Sequence, residues 1–167
     1  MWNSNFRGIK LGGDRLSRLK KQLLNLAIGE FAALLTFIFV YRLLDLGMAS
    51  LVAFSYLILI LLQGSVYWFY RYILIVNKKR VNHKMIELLK FLRRLNMIVL
   101  VGISIVMPII RTSNKDFIIG IGLFTFGMIE YINYYWYRLS YGKSGFNIRI
   151  LLNTGLQKSS INRLITK

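Results

Sequence analysis

The chain has 167 residues, 56% of them hydrophobic, and its 23 Lys and Arg against six Asp and Glu give a formal charge of +17. In a soluble protein that charge would point to nucleic acid, but here the apolar content and the separation of charge from apolar runs argue against a nucleic-acid partner. There is no cysteine, which excludes disulfide staples and thiol chemistry.

In chain order, residues 1–22 read as a basic tail with Arg7, Lys10, Arg15, Arg18, Lys20 and Lys21. Gly8, Gly12 and Gly13 predict a mobile start. Leu16, Leu19 and Leu23 are spaced as a helix from Arg15 to Leu24, expected to lie on the membrane surface before the chain turns in. The tail is long for a signal-peptide n-region and no small-x-small site follows the first apolar run, so that run is read as a retained helix.

Four apolar segments follow, at about 23–44, 49–76, 88–110 and 117–137, within one domain spanning 23–137. Roughly 20 helical residues cross a hydrocarbon core. The third segment is long enough only with its amphipathic lead-in. Lipid offers backbone amides no partner, so each segment is expected to be helical, and the alternation of barrel strands is absent. The fold class expected is therefore all-α: a polytopic membrane protein, a bundle of four transmembrane helices.

The loop at 77–94 is basic. Asn82 is placed to cap a helix from His83, with Met85, Leu88, Leu89, Leu92 and Leu95 on one stripe and Glu87 spaced to pair with Lys90. Two readings stay open: an interfacial helix, or an extension of the third helix forming a hairpin with residues 71–80. The tail at 138–167 is also basic. Short helices are expected at Asn147–Leu152 and Ser159–Ile165, resting on the membrane surface or on the central loop.

Twenty of the 23 cationic residues flank the termini and the central loop, and only Arg42, Arg111 and Lys115 fall on the other side. Positive residues stay cytoplasmic, so both termini are expected inside. Tyr67, Trp68, Phe69, Tyr70 and Tyr72, and a second cluster at Tyr131, Tyr134, Tyr135, Trp136, Tyr137 and Tyr141, fit aromatic belts on that side. The outer loops, near Asp45 and Asn114, are too short for a receptor ectodomain. Arg18, Lys20, Lys21, Lys78, Lys79, Arg80, Arg93 and Arg94 are the expected contacts for anionic lipids, at about 1 kcal/mol each near the surface.

Inside the segments, Glu30, Gln63, Glu130 and Asn133 fall at similar depth, about 10–12 Å below the cytoplasmic edge. They are the candidate polar site. They would hydrogen-bond one another to fix helix order, meet a partner's helix, or carry a proton or cation. Gly29/Ala33 and Ala49/Ala53 are small-residue pairs that permit close packing, and Gly120, Gly122 and Gly127 thin the fourth helix. Pro108 removes a backbone bond to Ser104 near the outer end of the third.

Other motifs fail. Gly142-Lys143-Ser144-Gly145 imitates the end of a phosphate loop, but the required glycine position holds Tyr137 and no strand precedes it. The only histidine, His83, sits among Lys79, Arg80 and Lys84, which disfavours a metal site and leaves no Ser–His arrangement. No catalytic residue, cofactor or metal is expected.

The run Glu130-Tyr131-Ile132-Asn133-Tyr134-Tyr135, with Leu139-Ser140-Tyr141 and a basic tail, resembles the C-terminus of small four-helix membrane proteins of AT-rich Gram-positive bacteria. That resemblance covers about the last quarter of the chain and implies no activity. In size, charge and span count the chain is also similar to bacteriocin immunity and accessory membrane proteins. The expected function is a non-enzymatic accessory or immunity-type role in the bacterial cytoplasmic membrane, through helix–helix contact with a membrane-protein partner or within a homo-oligomer. The alternative is a small transport component using Glu30 and Glu130.

Overall fold

A computed structural model describes residues 4–43, 47–139 and 157–166. Among those residues are five helices: α1 (Ser4–Leu43), α2 (Met48–Val76), α3 (His83–Ile109), α4 (Asn114–Tyr135) and the short α5 (Ser160–Ile165). The first four are long and apolar enough to cross a membrane. No strand occurs among the described residues, only an isolated bridge between Tyr137 and Lys158. The chain is an all-α, multi-pass membrane protein built on a four-helix bundle.

Each boundary has a local cause. α2 ends with Lys78 in the left-handed region, φ 53°. There Lys79 N donates to Leu74 O at 2.9 Å and Lys78 N to Ile75 O at 3.4 Å. This is the Schellman pattern, with lysine where glycine is usual. α3 starts where Asn82 accepts from Lys84 N, as the sequence predicts. α4 starts where Ser113 Oγ accepts from Asp116 N. Pro108 lies in the last turn of α3, where it withholds the amide that would donate to the Ser104 carbonyl.

Two boundaries depart from the sequence reading. α1 runs unbroken from Ser4, so the chain makes no turn near Leu23 and the stretch before Arg15 is helical. Gly8, Gly12 and Gly13 cost about 1 kcal/mol each in a helix, but a helix already nucleated by an apolar segment propagates through such positions. Forty residues give α1 a length of about 60 Å, twice the hydrocarbon thickness. α3 begins at His83 rather than near Leu88, which selects the hairpin reading of the central loop. Glu87 meets His83 at 3.3 Å, one turn back, in place of the expected Lys90 partner. The expected helix at Asn147–Leu152 and the Gly142–Gly145 motif lie outside the described residues.

α2 is the centre of the bundle, packing most extensively on α1 and α4. The larger core gathers Leu57, Ile60, Leu61 and Tyr67 of α2 with Leu34, Leu89, Tyr131, Tyr134 and Tyr135. A smaller one joins Ala49, Ala53 and Tyr56 to Ile103 and Met107. Ala49 and Ala53 are fully enclosed. A Cβ on Gly120 would come within 3.3 Å of the Ala49 backbone, and one on Gly127 within 2.9 Å of the Tyr56 ring. Small residues on both helices thus set the α2–α4 approach. Gly29 and Gly122 differ: a Cβ on either would meet nothing within 4 Å, so the Gly29/Ala33 pair makes no close crossing at Gly29.

α1 is bound along a single stripe. Among its described side chains only Ala27 and Leu34 are buried, while Ile28, Phe31, Leu35, Phe39 and Leu43 are exposed. Stacking of Tyr41 on Phe54 at 4.0 Å and the Phe37–Phe126 contact at 5.5 Å complete its attachment.

At the basic end the C-terminal segment folds back onto the bundle. Ser159 caps α5 and its amide donates to Trp136 O at 3.0 Å. Ile161 and Ile165 enter the larger core. The Tyr67 hydroxyl lies 2.6 Å from Ser160 Oγ, and Asn162 Nδ2 donates to Trp136 O at 3.0 Å.

Candidate polar site within the bundle

The four expected polar residues fall into two groups. Glu30 of α1 and Glu130 of α4 approach the same side chain, Tyr134. The buried Tyr134 hydroxyl lies beside both carboxylates but meets neither in hydrogen-bond geometry. Asn133 donates to Glu130 Oε2 at 3.3 Å and accepts from Leu139 N at 2.9 Å, tying the carboxylate to the chain leaving α4. Gly64 of α2 makes room for the tyrosine ring: a Cβ there would lie 2.5 Å from Tyr134 Cζ. Three helices therefore meet at one intramembrane acidic pair.

Gln63 belongs to the other group. It exchanges two hydrogen bonds with Asn96 of α3: Asn96 Nδ2 donates to Gln63 Oε1 at 2.8 Å, and Gln63 Nε2 donates to Asn96 Oδ1 at 3.4 Å. The Tyr135 hydroxyl donates to the same Gln63 oxygen at 2.8 Å. Asn96 is fully buried. Two adjacent residues of α4, Tyr134 and Tyr135, thus serve different clusters, because successive helical positions point about 100° apart.

A third polar centre lies at the opposite end, and the sequence reading missed it. Asp116 at the start of α4 accepts from Ala49 N at 3.2 Å, Ser50 N at 2.9 Å, Ser50 Oγ at 2.6 Å and Thr112 N at 3.2 Å. The residue preceding α2 is Gly47, which has no side chain to cap it. Asp116 supplies the cap from 66 residues away, where a carboxylate also complements the helix dipole.

Signals for the missed residues exist. Asn96 continues a seven-residue series, Leu89–Asn96–Ile103, along the buried side of α3. Ser113-x-x-Asp116 has the form of a capping box, which points to the start of α4 though not to the cross-chain cap.

No cluster of three or more His, Cys, Asp or Glu fit for a metal occurs among the described residues. No protein-family model, curated protein or solved structure matches the chain. The expected lipid-contact residues lie at the basic end. Arg18, Lys21, Lys78, Lys79, Arg80 and Arg94 are exposed, and Lys20 is half-buried. Arg93 is also half-buried, its guanidinium 3.7 Å from the Trp136 ring centroid.

Proposed function

We propose that this chain is a non-enzymatic accessory or immunity-type protein of the bacterial cytoplasmic membrane, acting through helix–helix contacts. The observation that carries this reading is the commitment of internal polar groups to one another. Gln63, Asn96 and Tyr135 tie α2, α3 and α4 together, and Asp116 joins α4 to α2. Groups spent on helix order leave the outer surface for function. That surface includes the free side of α1, with Phe31, Leu35 and Phe39, and that of α3, with Ile98, Val101 and Ile105. The charge distribution supports a cytoplasmic α5 end.

A photoreactive phenylalanine analogue at Phe39 or Ile105, activated in native membranes, tests the reading. The expected result is a discrete adduct with another membrane protein or a second copy of this chain. Adducts with lipid alone would overturn it.

A second reading rests on Glu30 and Glu130. Two carboxylates around one tyrosine inside a membrane must be neutralised by protons or a cation, which is the arrangement a small transport component would use. Proton or monovalent-cation flux into proteoliposomes, abolished by Glu30→Gln or Glu130→Gln with the fold retained, is its expected signature. Wild-type vesicles no leakier than empty ones would remove it.

A further inference from the structure

A cavity of about 440 Å³ opens at the basic end between α3, α4 and α5. Lys90, Arg93, Arg94 and Met97 of α3 line it, with Tyr131, Trp136 and Ile165 opposite. None of these residues is acidic, so among the described residues three cations face one space without a carboxylate in its wall.

The cations are held differently. The Trp136 ring and Asn162 Oδ1, 3.5 Å from Nη1, position the Arg93 guanidinium. Its backbone carbonyl accepts from the Tyr131 hydroxyl at 3.1 Å. Lys90 and Arg94 are exposed and one turn apart on the same helix, so their side chains reach the cavity from the solvent side. Below them α3 turns apolar: Met97 lines the cavity, and Ile98 and Val101 are exposed beyond it.

A fixed cation, two adaptable ones and an apolar floor at the edge of a membrane helix match one ligand class. We propose that the cavity binds the headgroup phosphate of an anionic phospholipid, with its acyl chains leaving along Met97 toward the bilayer. Arg93 supplies a planar donor set suited to phosphate oxygens. Lys90 and Arg94 add charge, and Ile165 makes the C-terminal helix one wall of the site. This differs from diffuse attraction of a basic face to a negative membrane, which needs no cavity. It stands independently of any partner or transport role.

Native mass spectrometry of the full chain, released from nanodiscs of phosphatidylglycerol and phosphatidylcholine, tests the site. Wild-type protein is expected to retain phosphatidylglycerol at low stoichiometry. Lys90→Gln/Arg94→Gln should lower that retention by about tenfold or more, as expected for two lost cationic contacts. The same variant should keep its thermal unfolding midpoint in phosphatidylcholine alone. Lys84→Gln/Lys158→Gln removes the same charge from the same end outside the cavity and is expected to change retention little. Equal loss in both variants would reduce the effect to surface charge and overturn the proposal. So would displacement of the lipid by millimolar inorganic phosphate, which would make the site one for a soluble anion.

Discussion

Asn96 donates to Gln63 Oε1 at 2.8 Å, and Gln63 returns a longer bond to Asn96, so two carboxamides on neighbouring helices close on each other where lipid offers no substitute. Losing Gln63 strands both Asn96 and the Tyr135 hydroxyl, whereas losing Asn96 leaves Gln63 Oε1 with Tyr135 and its Nε2 unpaired. Gln63→Leu and Asn96→Leu are each expected to lower stability by about 1–3 kcal/mol, and the double variant by less than the sum. Unfolding of the four proteins in mild detergent gives the coupling. Strict additivity would show that the pair contributes nothing as a pair.

Asp116→Asn keeps the shape of the side chain and removes half of its acceptor capacity. Four donors converge on the carboxylate, from Ala49, Ser50 and Thr112. The substitution turns one acceptor into a donor that faces them. A loss of about 2–4 kcal/mol is expected, against a smaller loss for Ser50→Ala, which removes one bond. Thermal unfolding in detergent is the measurement, and an unchanged midpoint for Asp116→Asn would contradict the capping role.

The glycines separate into two kinds by what a methyl group would meet. At Gly47 it would sit 2.6 Å from both Asp116 Oδ2 and Thr112 Oγ1, and at Gly64 2.5 Å from the Tyr134 ring. At Gly29 and Gly122 it would meet nothing within 4 Å. Gly47→Ala and Gly64→Ala should destabilise by about 1–3 kcal/mol as overpacking. Gly29→Ala and Gly122→Ala should be neutral or stabilising by up to about 1 kcal/mol, the helix-propensity difference. Four single variants and one unfolding assay decide it.

Lys78 holds a left-handed conformation that glycine adopts without strain. Lys78→Gly is expected to raise stability by about 0.5–1 kcal/mol, since the position already belongs to a glycine motif. Lys79→Gly, one residue on, should gain nothing. A fall in the midpoint for Lys78→Gly would mean that the lysine side chain contributes more than its backbone costs.

The number and type of the membrane helices were legible in the sequence because they follow from apolar length, whereas the starts of α1 and α3 were not. Local chemistry gave Asn82 as a cap and Ser159–Ile165 as a helix. The depth count put Glu30 and Glu130 at one level, and in the structure both lie beside Tyr134, a meeting point that the count did not name. Gln63 shares that depth and still belongs elsewhere. Depth is a one-dimensional quantity, whereas its pairing with Asn96 depends on how α2 and α3 are rotated. Asp116 was hidden for a related reason: its partners lie 66 and 67 positions away, beyond any window that spacing can read. The unbroken α1 was obscured by glycines whose local preference gives way to cooperative propagation.

The cap on α2 has a consequence for synthesis. Gly47 leaves the first amides of α2 without a side-chain acceptor of their own: Ala49 and Ser50 use Asp116, and Met48 uses Thr112 Oγ1. A ribosome that has delivered α1 and α2 has delivered a helical hairpin whose outer end is still incomplete. It stays so until the fourth helix enters and brings its carboxylate across. A chain truncated before residue 116 keeps every apolar residue of that hairpin and still lacks the carboxylate that its Ala49 and Ser50 amides use.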